Sequence, residues 1–220
     1  MLRIALLASG RGSNLQALID AIDVGGLDAE LVGVFCDKTG ALALERARRA
    51  GVAAFALSRR DFSTRLEFDK QLFSCVDGVH PDVIVCAGYM RLVSEREVDA
   101  RAGRMINIHP SLLPAFKGLR THEQALAAGV SEHGASVHVI SAELDGGPVI
   151  AQARVAVRAG DDATTLAQRV LAREHPLLVE TVRWLAAGRL ILHRDTVTLD
   201  GKPLTTPLQL DPANRLIVLD

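Results

Sequence analysis

Strand-like and helix-like signals alternate along this chain as far as Ile140, and that alternation limits its fold more than any other feature. A strand, a helix and a further strand in that order need a crossover connection, which builds a parallel sheet covered by helices. The first strand reads as Arg3–Ala8 and leads through a Gly-rich turn into a helix over about Asn14–Ala21. Leu31–Cys36 is the second strand, followed by a helix over Ala41–Ala50 and a short third strand at Ala53–Leu57. Phe62–Val76 carries Leu66, Leu72, Phe73 and Val76 at helical spacing. Pro81 precedes the strand Val83–Ala87, Ser94 is placed to cap a helix over Glu95–Ala100, and Met105–His109 is the next strand. Thr121 is placed to cap one more helix, with Glu123 close behind. The predicted class is α/β, a doubly wound, mostly parallel twisted sheet of Rossmann-like design flanked by helices.

The pattern then loses its regularity. Ser136–Ile140 and Val149–Val157 read as strands joined by a loop containing Asp145-Gly146-Gly147-Pro148, which predicts antiparallel strands in the C-terminal part. Asp161 or Asp162 opens the longest helix, which runs toward Gly188 as its stop. Leu190–His193 and Thr196–Leu199 are short strands flanking Arg194-Asp195, and the tail from Lys202 reads as irregular. No internal repeat or low-complexity linker divides the chain. The expectation is one domain over residues 1–200 with a C-terminal extension over 201–220.

Composition agrees. Hydrophobic residues make up 49% of the 220 and aromatics only 4%, so the core must come from Ala, Val, Leu and Ile, which suits helices on a parallel sheet. A formal net charge of −1 points to neither a nucleic-acid surface nor a membrane surface. No apolar run approaches the roughly 18–20 residues of a membrane span. Met1–Ala5 lacks the basic region and cleavage site of a signal peptide and reads as strand. The three cysteines, Cys36, Cys75 and Cys86, are scattered and form no C-x-x-C, which fits a reduced, cytoplasmic protein.

Chemistry concentrates at Ile106-Asn107-Ile108-His109-Pro110. Side chains two apart on a strand point to one side, so Asn107 and His109 project together while Ile106 and Ile108 face the other way. Pro110 cannot continue a central strand, so the chain turns there and leaves both polar groups at the rim of the sheet. An amide donor beside an imidazole can hold a developing oxyanion and manage a proton. The Ala87–Val93 segment and the Asp145 loop can converge on the same rim, because ligands of such folds bind at the carboxyl ends of the strands. Taken singly, each of these segments also reads as an ordinary turn.

Ser9-Gly10-Arg11-Gly12-Ser13-Asn14 follows the first strand and opens the first helix. It reads either as a phosphate cradle, since exposed N–H groups at a helix start attract anions, or as a tight turn with Ser13 or Asn14 as cap. A dinucleotide site is the competitor, with Asp37 in the place of the ribose-binding acid. Leu15 stands where its third glycine would be, so the fingerprint is incomplete. A third reading is a sugar-phosphate sensor without catalysis, which leaves Asn107, His109 and Asp145 unexplained. His122-Glu123 begins like a zinc motif but Leu126 breaks it. No G-x-S-x-G elbow appears. His138 reads as a satisfied core histidine, and His80 and His133 lie beside loop signals.

At Asn107-Ile-His109-Pro-Ser111-Leu-Leu-Pro114 the chain resembles the folate-dependent formyltransferases, and within them the glycinamide ribonucleotide transformylase family. The resemblance runs from Arg3 to about Leu199 and takes in Ser9–Gln16, Asp82–Arg91, His133–His138 and Glu143–Ile150. It implies transfer of a formyl group from 10-formyltetrahydrofolate, a co-substrate, to the amine of phosphoribosylglycinamide in purine synthesis, without a metal. It implies Asn107 as oxyanion donor, His109 as general acid/base and oxyanion stabiliser, and Asp145 as support for the His109 cation and for proton transfer. Gly12, Ser13 and Asn14 would hold the substrate phosphate and Glu174 the ribose hydroxyls. Met90, Arg91, Leu92 and Val93 would line the folate pocket, with Asn107, Ala142 and Asp145 across from them and Arg65 as a further contact. The implied partners are these small molecules, with no nucleic acid and no membrane, and the implied state is a monomer or weak homodimer.

Related formyltransferases that act on methionyl-tRNA would carry a further C-terminal RNA-binding domain, for which this chain has no room. Formyltetrahydrofolate deformylases would carry an N-terminal regulatory domain, whereas the catalytic-type pattern here starts at Met1. One position departs from the family, which often has His where Arg120 stands; Arg120 cannot accept a proton at neutral pH and is left out of the catalytic set. Leu113-Pro114 is an X-Pro bond that can be cis beside the site.

Overall fold

The structure, a computed structural model, describes Met1–Leu219. Its elements in chain order are β1 (Leu2–Ala8), α1 (Ser13–Asp23), β2 (Ala29–Cys36), α2 (Leu42–Arg49), β3 (Ala54–Ala56), α3 (Arg65–Asp77), β4 (Val83–Ala87) and α4 (Glu95–Ala100). There follow β5 (Met105–His109), α5 (Thr121–Ala127), β6 (Glu132–Val139), β7 (Val149–Ala156) and α6 (Ala163–Ala186). The short strands β8 (Leu190–Leu192), β9 (Val197–Leu199), β10 (Lys202–Pro203), β11 (Leu208–Leu210) and β12 (Leu216–Ile217) end the chain. Among the described residues the main sheet has the order β12-β11-β7-β6-β5-β4-β1-β2-β3, and β10-β9-β8 form a small separate sheet.

The α/β expectation is met. β3, β2, β1, β4 and β5 run parallel, and the order turns back at β1, which lies between β2 and β4. Such a switch point opens a crevice at the carboxyl ends of the strands. The alternation of side chains along β1 feeds two cores. Ile4, Leu6 and Ala8 join the layer under α1, α2 and α6, while Ala5 and Leu7 join Phe68, Leu72 and Phe73 of α3 on the other face.

Several local expectations are corrected. Helix α3 begins at Arg65, not Phe62, because Thr64 caps it and forms a reciprocal capping box with Glu67. Phe62 stays outside and meets Phe68 edge to face. The Ser94 side chain makes no capping bond; its backbone N–H is donated to Asp69 Oδ2 at 2.8 Å instead. Thr121 is the first residue of α5, and its hydroxyl donates to the Pro110 carbonyl at 2.6 Å. The cap position there belongs to Arg120, with φ 56°. Antiparallel pairing starts earlier than Ile140, since Glu132–His138 of β6 run against β7 and Ser136–Val139 run against β5. The tail is not irregular: β11 pairs parallel with β7 and buries Leu208 and Leu210 at the sheet's far side. The tail strands β10, β11 and β12 are two or three residues long among prolines and threonines, and no period marks them in the sequence.

Candidate active site

A cleft of about 710 Å³ opens beyond the carboxyl ends of β4 and β5. One wall is the segment from Gly88 to Val93, and the opposite wall is the loop from Ile140 to Asp145. Asn107 and His109 form part of its floor. Their common side is set by the strand period, and Ile106 and Ile108 point into the α6-side core as expected. The register of β5 against β6 places Asn107 opposite His138 and His109 opposite Ser136.

Each polar group in this cluster is held by a neighbour. His109 Nε2 donates to the Phe116 carbonyl at 3.0 Å, which turns Nδ1 toward Asp145 Oδ2 at 3.5 Å. Asp145 Oδ2 accepts the Gly118 N–H at 2.8 Å, and Asp145 Oδ1 lies 3.6 Å from His138 Nε2. The Asn107 amide donates to that same nitrogen at 3.0 Å, and His138 Nδ1 donates to the Val139 carbonyl at 2.9 Å. One N–H of Asn107 remains for the cleft. Phe116 and Gly118 both sit on the strap that runs from Pro110 to Arg120. Its backbone holds positive φ at Phe116, Gly118 and Arg120, and its Leu113-Pro114 bond is cis. Ser136 secures the strap by accepting the Leu113 N–H at 3.0 Å and donating to the Ser111 carbonyl at 2.7 Å. On the other side Gly147 lets the Asp145 loop lie against β6, since a Cβ there would come within 2.0 Å of the Val139 carbonyl oxygen.

The charges differ from the sequence expectation in one respect. Asp145 does push His109 toward its cation, as does the Phe116 carbonyl. Burial outweighs both and holds the imidazole pKa below its ordinary value. Burial also opposes ionisation of Asp145, but the His138 ring, the Gly118 N–H and the His109 ring together more than offset it and keep the carboxyl ionised.

The second predicted group lies at the start of α1. Gly12 occupies the cap position with φ 68°, and no side chain caps the helix among the described residues. Neither Ser13 nor Asn14 acts as cap, because both are already helical. A Cβ at Gly12 would lie 2.8 Å from Ala43, so glycine is required by space as well as by φ. The helix start therefore offers bare N–H groups. Asn14 Nδ2 donates to Glu174 Oε2 at 3.0 Å across α1 and α6, and both residues are buried. Burial pushes the Glu174 carboxyl up, against the smaller pull of Asn14.

Met90, Arg91, Leu92, Val93, Asn107, Ala142 and Asp145 all border the cleft, and Arg65 does not. Arg65 opens α3 as an exposed residue. Arg120 is on the rim, exposed, 3.8 Å from Glu123. Asp37 is paired with Arg91 at 2.6 Å and buried, so its carboxylate faces an arginine and not a ribose site. His138 is the residue that sequence reasoning missed. It is separated from Asn107 by 31 residues and becomes its neighbour only through antiparallel pairing. His133 is also buried, with Nε2 3.2 Å from His122 Nδ1, and burial together with His122 and His109 lowers its pKa to about 4. Among the described residues no group of His, Cys, Asp and Glu is arranged to hold a metal ion, and no helix is long and apolar enough to cross a membrane.

Residues 2–182 match the family model for formyl transferases, and the chain belongs to that family. It is 47% identical over 203 residues to the phosphoribosylglycinamide formyltransferase of Escherichia coli (strain K12), covering 92% of this chain and 96% of that one. It is 39% identical over 186 residues to the trifunctional purine biosynthetic protein adenosine-3 of Homo sapiens, covering 84% of this chain and 18% of that one. The structure of the phosphoribosylglycinamide formyltransferase from Coxiella burnetii superposes with a TM-score of 0.88 at 46% identity, over 93% of this chain and 96% of that one.

Proposed function

We propose that this chain is a phosphoribosylglycinamide formyltransferase. It moves the formyl group of 10-formyltetrahydrofolate to the amine of phosphoribosylglycinamide, giving formylglycinamide ribonucleotide and tetrahydrofolate in purine biosynthesis. The observation that carries this reading is the junction of Asn107, His109 and Asp145 in one cleft beside the uncapped start of α1. The likeness to the Escherichia coli enzyme over nearly the whole chain supports it.

The geometry supports the following division of roles. The N–H groups at Gly12, Ser13 and Asn14 receive the substrate phosphate, and Glu174 with Asn14 faces the ribose. The apolar wall from Met90 to Val93 and the Ala142–Asp145 loop hold the folate between them. The substrate amine forms a bond to the formyl carbon, whose bond to folate N10 then breaks, and one amine proton ends on N10. Asn107 donates its remaining N–H to the oxygen that becomes negative. His109 takes the proton released by the attacking amine and gives it to folate N10 as the carbon–N10 bond breaks. Asp145 keeps its charge throughout, orients His109 and supports its cation while it holds that proton. No step calls on a metal. The protein works in the cytoplasm, where Cys36, Cys75 and Cys86 stay as free thiols, and as a monomer or weak homodimer.

The test is direct. Purified protein mixed with phosphoribosylglycinamide and 10-formyltetrahydrofolate converts the folate only when both are present. Absence of conversion in the wild-type protein, together with tight NAD(P) binding, would overturn the assignment.

A further inference from the structure

In the cleft wall from Gly88 to Val93, Tyr89 and Val93 pack against the α3-side core, whereas Met90 is 61% and Leu92 56% exposed. Polar ties reach the stretch around these two exposed residues. Ser9 N–H donates to the Gly88 carbonyl at 3.0 Å, and Met90 N–H donates to Ser9 Oγ at 2.9 Å. Arg91 Nε donates to Asp37 Oδ2 at 2.6 Å, and Ser94 N–H to Asp69 Oδ2 at 2.8 Å. Of these ties, the one to Asp37 alone reaches the wall through a side chain that itself borders the cleft.

The Asp37 side chain is 2% exposed and its second oxygen has no partner among the described residues. A buried carboxylate with a single charged partner adds little stability over an apolar residue, since desolvation offsets the attraction. What such a pair does supply is geometry. Arg91 is held between Asp37 and the Phe68 ring, whose centroid lies 5.7 Å from the guanidinium carbon. The chain on either side of Arg91 is thereby held in place, and Met90 and Leu92 present their side chains to the cleft.

We infer that Asp37 is a positioning residue for the formyl donor: through Arg91 it fixes the Met90–Val93 wall and sets the hold on the folate without touching the sugar-phosphate half of the site. This rests on the formyltransferase reading, and wild-type turnover with both substrates tests that reading separately. Asp37→Ala is expected to raise KM for 10-formyltetrahydrofolate about tenfold, while KM for phosphoribosylglycinamide stays within about twofold. Asp37→Asn keeps an acceptor oxygen for Arg91 and is expected to restore the donor KM to within about twofold of wild type. Combining Asp37→Ala with Arg91→Gln should add no more than about twofold to the effect of Arg91→Gln alone. If Asp37→Ala does not fold, Asp37→Ser supplies the same comparison, because its hydroxyl is too short to reach Arg91. Equal changes in both KM values, an unchanged donor KM, or additive effects in the double variant would each overturn the proposal in an enzyme whose wild-type form turns over.

Discussion

Asp145 and Glu174 are both carboxylates taken out of water, and the molecule treats them in opposite ways. Asp145 faces two imidazoles and a backbone N–H, and stays ionised despite its burial. Glu174 has one amide donor from Asn14, and burial prevails. The lesson is that depth and surroundings act together on a buried acid: Glu174 is the deeper of the two and has the fewer polar neighbours. The cleft sets an ionised acid beside the His109 ring, while near the start of α1 burial pushes the Glu174 carboxyl up.

The sharpest way to break this contrast is Asp145→Ala. It removes the anion and leaves His109 with the Phe116 carbonyl alone, so kcat should fall by about three orders of magnitude. Steady-state kinetics on the folded variant decide it, and a loss under about tenfold would mean that Asp145 is scaffolding only. Asn107→Ala removes one oxyanion donor and should cost about two orders of magnitude in kcat, with both KM values little changed. A fall in substrate affinity without loss of kcat would place Asn107 in binding instead.

Stability should move in opposite directions at the two acids. The folded pKa of Asp145 lies below the ordinary 3.8, so its contribution is present above that value and fades as pH falls through the folded one. The folded pKa of Glu174 lies above the ordinary 4.5, so the folded state loses stability as pH rises from 4.5 through the raised value. Calorimetry at pH 7 should therefore show Asp145→Asn lowering Tm and Glu174→Gln raising it by about 2–4 °C. The gain in Glu174→Gln should vanish near pH 4.5, and a Tm that drops at pH 7 would show Glu174 to be charged. A smaller effect concerns His109, whose ring should titrate below 6.5 by NMR. Asp145→Asn should lower that value further, because it removes a charge that favours the cation. The smallest change is expected from Arg120→His. That side chain is exposed and makes only a 3.8 Å contact with Glu123, so kcat and Tm should stay near wild type.

Much of this was legible before any coordinates. The parallel half reads from its alternation, and β4 and β5 fall on the predicted residues because each is a short apolar run with clear breaks. Asn107 and His109 share a side by strand period alone, and the glycines of the first loop mark the turn into α1, though not whether Ser13 or Asn14 caps it. Other features were not local. The Thr64 capping box moved the start of α3, and the hydroxyl of Thr121 went to the Pro110 carbonyl instead of its own helix. His138 looked like a core histidine because nothing near it in sequence reveals its partner. Asp37 has a ribose-binding place only in the competing dinucleotide reading, and its actual partner, Arg91, lies 54 residues along the chain.

The sequence by itself therefore determined the fold class, the strand that carries the amide and imidazole, and the Gly-rich turn that leads from β1 into the first helix. Periodicity, turn chemistry and residue type are local properties, and those three conclusions need nothing more. Only the tertiary structure decided which groups meet: His138 with Asn107, the strap with His109 and Asp145, Glu174 with Asn14, and the tail with β7. It also decided which groups carry charge. Proton affinity depends on burial and on donors brought from distant parts of the chain, and no local pattern encodes either.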